Sequence, residues 1–434
     1  MTTEPVGTQP PPDAPDRIAE PVPAEPEPRP VGAWFMTVYA LTNFGLALVL
    51  LTPTLFSLAY KIQLIDPATK ESNLGLVIGV GAIGTIVIGP ILGVLSDRTR
   101  LPWGRRRPYL LAGIAINAAG SLLIATSSSI GAVLLGWVIA NLGATFAGTA
   151  VTPVIAECVP ESQRGKLGAL GGVTGQLAGV TASLVGSLLV GHQVLLFLLP
   201  VLILAAASVL FLFTIPDRPA PAALSSASVF QFFKDLAFNP FAHRDFSLVL
   251  IGKFLLTLGT NFFTTYQLYF LLDRLQLAPA EAGQKLALLG GIGLLVGMGS
   301  AIISGMVSDR IGRRKPFIYG ASAAMAGGLI VASAADELIL YSVGAILLTL
   351  GVGMFGTVDL ALVSDVMPDR ETQAGKYMSI YYNIASNPAG AIAPMLAPLV
   401  LAIGGGGNYA ALFLTAAVLA AGAGLTAWRI RGVK

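Results

Sequence analysis

Along this chain, long apolar runs alternate with short polar or charged punctuation. A helix needs about 20 mostly apolar residues to cross the hydrocarbon of a bilayer. Twelve runs qualify, at about 33–59, 73–96, 108–127, 130–153, 167–190, 194–214, 247–271, 285–307, 316–334, 338–362, 377–401 and 409–429. None shows the strict alternation of a membrane strand, so the pattern predicts an all-α membrane protein of twelve transmembrane helices rather than a barrel.

Composition agrees with that pattern. Of 434 residues, 54% are hydrophobic and only 11% are charged, where a soluble domain averages roughly 25% charged. Mean hydropathy is +0.76. A net charge of +3 is too small to argue for a nucleic-acid partner. Cys158 is the only cysteine, and His192 and His243 are the only histidines. That excludes an internal disulfide and leaves little for a metal centre, so no cofactor and no metal are expected. Residues 1–31 hold ten of the 28 prolines and several acids. They read as a disordered polar tail, not a secretory signal.

Lys and Arg set the orientation. With the N-terminus inside, 21 of the 26 basic residues fall on the inner side, from Arg17 through the clusters at 98–107 and 310–315 to Lys434. Lys61, Lys70, Arg274 and Lys285 fall outside, and Lys253 lies within a span. The positive-inside rule then predicts a multi-pass protein of the cytoplasmic membrane with both termini cytoplasmic.

The chain also repeats itself at a spacing near 210 residues. After the second run it reads Gly93-Val-Leu-Ser-Asp97-Arg98, then Gly104-Arg105-Arg106-Arg107-Pro108. After the eighth it reads Gly305-Met-Val-Ser-Asp309-Arg310, then Gly312-Arg313-Arg314-Lys315-Pro316, four residues shorter. Lys61-Ile-Gln-Leu64 matches Arg274-Leu-Gln-Leu277. Glu157, Pro160 and Gly165-Lys166 match Asp365, Pro368 and Gly375-Lys376. The expected organisation is a tail at 1–31, a six-helix bundle at 32–214, a cytoplasmic linker at 215–246 and a second bundle at 247–434, related by pseudosymmetry. Such repeats, with a solute site between them near the midplane, are the architecture of secondary transporters.

The twin loops and the six-plus-six layout resemble the major facilitator superfamily over about residues 32–434. The first loop, Pro90 to Arg98 followed by Trp103 to Gly113, looks most like the glycoside and sucrose cation symporter branch. The resemblance implies transport of a small solute by alternating access, with spans 1, 4, 7 and 10 lining the cavity. Sodium-coupled members of that branch carry acids within span 2. Here no acid lies between Asn73 and Ser96, so proton coupling or facilitated diffusion is the expectation.

Two sets of charges are candidates for function. Asp97, Arg98, Arg105 and Arg106, with Asp309, Arg310, Arg313 and Arg314, would form a cytoplasmic gate tying the halves together when the outside is open, since guanidinium groups bind carboxylates and helix-end carbonyls. The same arginines would otherwise serve topology and lipid headgroups. Deeper, Lys253 in span 7 and Asp359 in span 10 lie at similar heights. An ionisable group there is costly unless paired, so a Lys253–Asp359 coupling pair is expected, with a static ion pair or a snorkelling lysine as the alternative.

Neutral polar groups form helical stripes. Span 4 carries Asn141, Thr145, Thr149 and Thr152; span 7 carries Lys253, Thr257, Asn261 and Thr264. Asn43 in span 1 and Tyr381, Tyr382, Asn383 and Asn387 in span 11 add to them. Such groups suit a neutral polar or polyhydroxy solute, though they equally bond neighbouring helices or their own backbone. Gly171, Gly175, Gly179 and Ser183 in span 5, and Gly293, Gly297, Ala301 and Gly305 in span 8, are expected to form a sliding surface between the halves. Pro388, Pro394 and Pro398 would free carbonyls in span 11. The reading is a monomeric, proton-coupled secondary transporter of a small polar solute such as a sugar or glycoside, among membrane lipids, and not an enzyme. Alternatives are a drug or metabolite exporter of the same fold, or a non-transporting receptor or scaffold.

Overall fold

The computed structural model describes residues 30–217, 238–368 and 370–430. All but the last two residues of the expected tail, and most of the linker, lie outside the described residues. Within them there is no strand, and twelve helices are long and apolar enough to span a membrane. They are α1 (Ala33–Ile65), α2 (Lys70–Arg98), α3 (Arg107–Thr126), α4 (Ile130–Cys158), α5 (Glu161–Leu188), α6 (Gln193–Thr214), α7 (Arg244–Asp273), α8 (Pro279–Ile311), α9 (Lys315–Ser333), α10 (Leu338–Val366), α11 (Gly375–Leu401) and α12 (Tyr409–Trp428). Several run a turn or two past their apolar cores, because helix continues into the polar layer wherever no breaker stops it.

The packing repeats with a shift of six helices. In the first half α1 packs on α5 and α6, α4 on α2 and α3, and α3 on α6; in the second α7 packs on α11 and α12, α10 on α8 and α9, and α9 on α12. The halves meet through α2 with α11 and α5 with α8, a pair of contacts that the same pseudo-twofold exchanges. Glycines explain the tightest pairs. A Cβ on Gly120 would stand 2.4 Å from Ala140 N, and one on Gly143 2.3 Å from Asn117 N, where α3 crosses α4. A Cβ on Gly328 or Gly344 would lie 2.5 or 2.6 Å from the other glycine's carbonyl oxygen, where α9 crosses α10. Gly328, Gly344 and Gly351 stand 208 residues after Gly120, Gly136 and Gly143, so the duplication conserved the approach distance of both pairs. Close backbone contact is how membrane helices gain van der Waals energy where no hydrophobic effect drives them together.

The glycine stripes of spans 5 and 8 do not form the sliding surface expected of them. Gly171 and Gly179 face Asn43, Leu51 and Leu55 of α1, while Gly293, Gly297 and Gly305 face Thr349 and Thr357 of α10. Each stripe packs within its own half. The seam uses other residues: Gly75 and Gly79 of α2 against Pro394 and Met395 of α11, and Gly283 of α8 against Phe56 and Ser187. A stripe shows that some helix comes close, and its sequence does not say which one.

Two helices are locally underwound into π turns, Pro53–Ser57 in α1 and Tyr381–Ser386 in α11. The second ends two residues before Pro388, and Pro398 further on acts as expected. Pro398 cannot donate to the carbonyl of Pro394, and that oxygen instead accepts the Tyr266 hydroxyl at 2.9 Å. Lys61, counted among the outer charges, is buried at that end of the bundle. It is 5% exposed and donates to Ala125 O at 2.9 Å and to Gln193, so its ammonium caps the carbonyl end of α3. Its matched partner Arg274 pairs with Asp336 at 2.5 Å, just past the end of α9.

Candidate substrate cavity

A cavity of about 640 Å³ lies between the halves. The first half contributes Thr54, Thr85, Trp137 and Asn141, set among Leu50, Leu51, Leu55 and Ile86; the second contributes Asn261, Thr264, Thr265, Asn383, Ser386 and Asn387. No lining residue carries a charge. Both π turns sit in this wall, Thr54 in one and Asn383 with Ser386 in the other. The extra residue of a π turn widens the helix and re-aims its side chains. Each asparagine uses one N–H on its own helix: Asn141 to Trp137 O at 3.1 Å, Asn261 to Thr257 O at 2.8 Å, Asn383 to Ser379 O at 2.9 Å. That bond fixes the amide; Asn141 and Asn261 keep their remaining donor and acceptor capacity for a solute, while Asn383 also donates to Ser379 Oγ at 3.2 Å and accepts from Asn387 at 3.3 Å. Trp137 Nε1 and Ser386 Oγ are buried with no partner.

A second chamber of about 570 Å³ shares Leu50, Thr85 and Asn141 with the first and leads to Asp97, Arg106 and Glu157. The cavity therefore opens toward the face that carries the two arginine loops.

The expected binding residues divide accordingly. Asn141, Asn261 and Asn383 line the cavity, and Thr145 and Thr149 line the second chamber. Thr145 and Thr149 bond the carbonyls of Asn141 and Phe146, the local bonding that threonine favours in membranes. Thr257 lines neither chamber and serves through its carbonyl. Asn43 does not face the cavity either. It donates to Gly171 O at 3.3 Å and Thr174 Oγ1 at 3.0 Å, tying α1 to α5. Tyr381 is fully buried and belongs to a different group.

That group is Lys253, Asp359 and Tyr381. Lys253 Nζ lies 3.1 Å from Asp359 Oδ2, and the Tyr381 hydroxyl donates to the same oxygen. Lys253 also stands over the rings of Phe355 and Tyr381 at 5.2 and 5.4 Å. Asp359 is 2% exposed while Lys253 keeps 22% of its side chain accessible. A carboxylate so buried is tolerable only with both partners in place. The similar heights read from the sequence do bring Lys253 and Asp359 together; Tyr381 as the third member was not legible from spacing.

The face opposite the arginine loops is closed. Lys70 of α2 pairs with Asp273 of α7 at 2.5 Å and lies 4.9 Å from the centre of the Tyr269 ring. Tyr409 of α12 donates to Asp273 at 2.6 Å and stands 3.2 Å from Glu71 of α2. Tyr269 donates to Ala59 O at 2.9 Å and Tyr266 contacts Glu71 O at 3.1 Å. All of these contacts cross between the halves except the bond from Tyr409 to Asp273, which joins α12 to α7 within the second half. None was singled out from the sequence, where Lys70 counted only toward topology.

The arginine loops close within their own halves in this conformation. Arg106 Nη2 binds Asp97 at 2.7 Å and also Glu157, while its Nη1 donates to Ser96 Oγ at 2.8 Å; Arg105 binds Glu157 at 2.9 Å. Arg314 binds Asp309 at 2.6 Å and Asp365 at 3.3 Å and reaches Ser308 Oγ at 3.4 Å. Burial lowers the Arg106 pKa, and the Glu157 and Asp97 carboxylates more than offset it, so that the net shift is upward. Asp217, from the start of the linker, accepts the backbone N–H groups of Arg105, Arg106 and Arg107 at 3.1, 2.8 and 2.9 Å, satisfying the open amides at the start of α3. Arg310 and Arg313 form no ion pair among the described residues.

A family model described as Major Facilitator Superfamily matches residues 33–394. The chain is 29% identical over 153 residues to the inner membrane transport protein YajR of Escherichia coli K12, covering 35% of this chain and 31% of that one. It is 41% identical over 51 residues to the sucrose transport protein SUT1 of Oryza sativa subsp. japonica, 12% of this chain and 10% of that one. The alignments thus span under a third of either relative's length. Among solved structures, nucleoside transporter NupG superposes with a TM-score of 0.69 at 14% identity, covering 92% of this chain and 99% of that one. A D-xylose-proton symporter superposes at 0.68 and 18%, covering 91% and 97%.

Proposed function

The chain belongs to the major facilitator superfamily, and from that premise we propose that it is a secondary active transporter of a neutral, hydroxyl-rich solute such as a sugar or glycoside. The observation that carries this reading is the lining of the cavity: four asparagines with threonine and serine hydroxyls, drawn from both halves, and no charge. Amides both donate and accept, which matches a polyol, whereas an anionic solute would need a cation in the wall. The arginine face is cytoplasmic in this reading, so the conformation described is open to the inside. The Lys70, Asp273, Tyr409 and Glu71 contacts are its outer latch. The sucrose transport and xylose symport of two similar proteins point to the same solute class.

Coupling rests with Asp359. A proton delivered to its carboxyl releases Lys253 and lowers the cost of separating them, and loss of the proton restores the pair. Binding of solute beside α7 and α11 then favours one protonation state, and proton and solute move together. The test is uptake into proteoliposomes of labelled sugars with and without an imposed pH gradient. Wild type should accumulate its solute only with the gradient. Asp359→Asn should equilibrate solute across the membrane without accumulating it, and undiminished gradient-driven accumulation in that variant would remove the coupling role. Export of a less polar metabolite is the second reading, favoured by Leu50, Leu51, Leu55 and Ile86 in the wall; failure of every sugar in the panel would bring it forward.

A further inference from the structure

A groove of about 350 Å³ indents the outer surface of the second half where α9 meets α12. It has no connection to the cavity. Its floor is made of small side chains, Ala323, Ala326, Ala421 and Gly424. Its rim carries two aromatic residues, Tyr319 at 37% and Trp428 at 72% exposure. Small residues alone would mean only that helices come close, and here they leave a gap.

Two further features point to what fills it. Ser322 lines the groove and is 3% exposed, yet its hydroxyl has no hydrogen-bond partner. An unpaired donor beside hydrocarbon is costly, and the usual remedy in a membrane helix, a bond to the carbonyl one turn back, is not taken. The second feature is charge at the mouth. Lys315 lies one turn before Tyr319 on the same face of α9 and donates to Ile430 O at 2.6 Å, which places its ammonium over the end of α12. Arg429 follows Trp428 and is exposed. An ammonium with two donors to spare, a guanidinium, an aromatic pair at the level where such rings meet headgroups and an apolar furrow below them fit one class of molecule.

We infer that the groove holds an acyl chain of an anionic phospholipid whose phosphate is bound by Lys315 and Arg429 and whose ester carbonyl accepts the Ser322 hydroxyl. A zwitterionic lipid offers the same chain and esters with a compensating cation in its headgroup, so it gains less from the two basic residues. The matched position in the first half, between α3 and α6, is the end of the bundle where Asp217 closes the loop, which confines the site to one half.

The purified protein, stripped of lipid in detergent, is titrated with phosphatidylglycerol and with phosphatidylcholine of identical chains, and retained lipid is counted by native mass spectrometry. Phosphatidylglycerol should be retained at least about tenfold more tightly, since each basic residue near an anionic lipid contributes on the order of fivefold. Ala326→Leu and Ala421→Leu, which fill the furrow, should abolish that retention. Lys315→Gln and Arg429→Gln leave the furrow intact and should each reduce the preference roughly fivefold. Equal retention of the two lipids, or unaltered retention when the furrow is filled, would overturn the inference. So would a change of oligomeric state in the filled variants, which would make the groove a seat for a second copy.

Discussion

Replacing Lys70 tests the outer latch most directly. Its side chain is 10% exposed and that of Asp273 33%, so the pair stands between two limits. An exposed ion pair contributes about 0–1 kcal/mol, and breaking a buried one costs about 3–5 kcal/mol because the surviving charge is stranded. With Asp273 keeping the Tyr409 bond and some water, about 2 kcal/mol is the reasonable value. The cost falls only on the outside-closed conformation, because opening the outside separates α2 from α7 and hydrates both groups whichever residue stands at 70. Lys70→Gln should therefore shift the ratio of closed to open molecules by roughly thirtyfold, and Tyr409→Phe, whose bond to Asp273 stays within the second half in both conformations, by much less. The assay is a spin-label distance across the outer face, between Ser72→Cys and Glu337→Cys in a Cys158→Ser background. Wild type should give mainly the short distance, and Lys70→Gln a second, longer population. Exchanging the two charges, Lys70→Asp with Asp273→Lys, should return much of the short one. A distance distribution left unchanged by Lys70→Gln would refute the reasoning, since it would mean the pair contributes equally to both conformations.

Other outcomes follow from the packing and the loops. Gly328→Leu places a side chain 2.5 Å from a backbone carbonyl that cannot yield. It should cost about 3 kcal/mol or more, read as a lowered Tm in detergent, whereas Gly356→Ala, with nothing within 4 Å, should leave the Tm in place. Asp97→Asn keeps the size of the side chain and removes a charge from the Arg106 cluster. It should lower uptake severalfold while leaving membrane insertion and Tm near wild type, and unchanged uptake would remove the gate role.

The spans, the duplication and the two loops were legible because each is a property of residue order: apolar length, repeated words, basic clusters. The Lys253–Asp359 pair was legible for a related reason, since a charge deep in hydrocarbon demands a partner and only one stood at the same height. What faces what was much less so. A membrane helix that is apolar on every side has no strong stripe to fix its rotation, so Asn43, Thr257 and Tyr381 seemed as good cavity residues as Asn141, Asn261 and Asn383. The π turns are invisible in periodicity, yet they aim Asn383 and Ser386. The glycine stripes misled for the same reason. The outer latch joins residues some 200 and more positions apart, each unremarkable in its own loop, and only the closed arrangement of the halves assembles it.

The asymmetry imposed on this symmetric scaffold bears on mechanism. The Ser96, Asp97, Arg106 and Glu157 cluster recurs as Ser308, Asp309, Arg314 and Asp365, and the glycine contacts of α3 with α4 recur in α9 with α10. The buried triad does not recur. Carried back through the matched segments, Lys253 falls at Tyr39 or Ala40 on α1, Asp359 at Val151 on α4, and Tyr381 at Gly171 on α5. There the first half has only the neutral tie from Asn43 to Gly171 and Thr174. Features needed by both halves alike, helix approach and loop closure, have been kept twice. A titrating group kept twice would carry two protons per cycle and place two costly charges in hydrocarbon. Kept once, in the coupling proposed above, it would let one half respond to protonation while the other serves as a neutral wall, and the tilt of one against the other would convert a local change at Asp359 into exposure of the cavity to the opposite side.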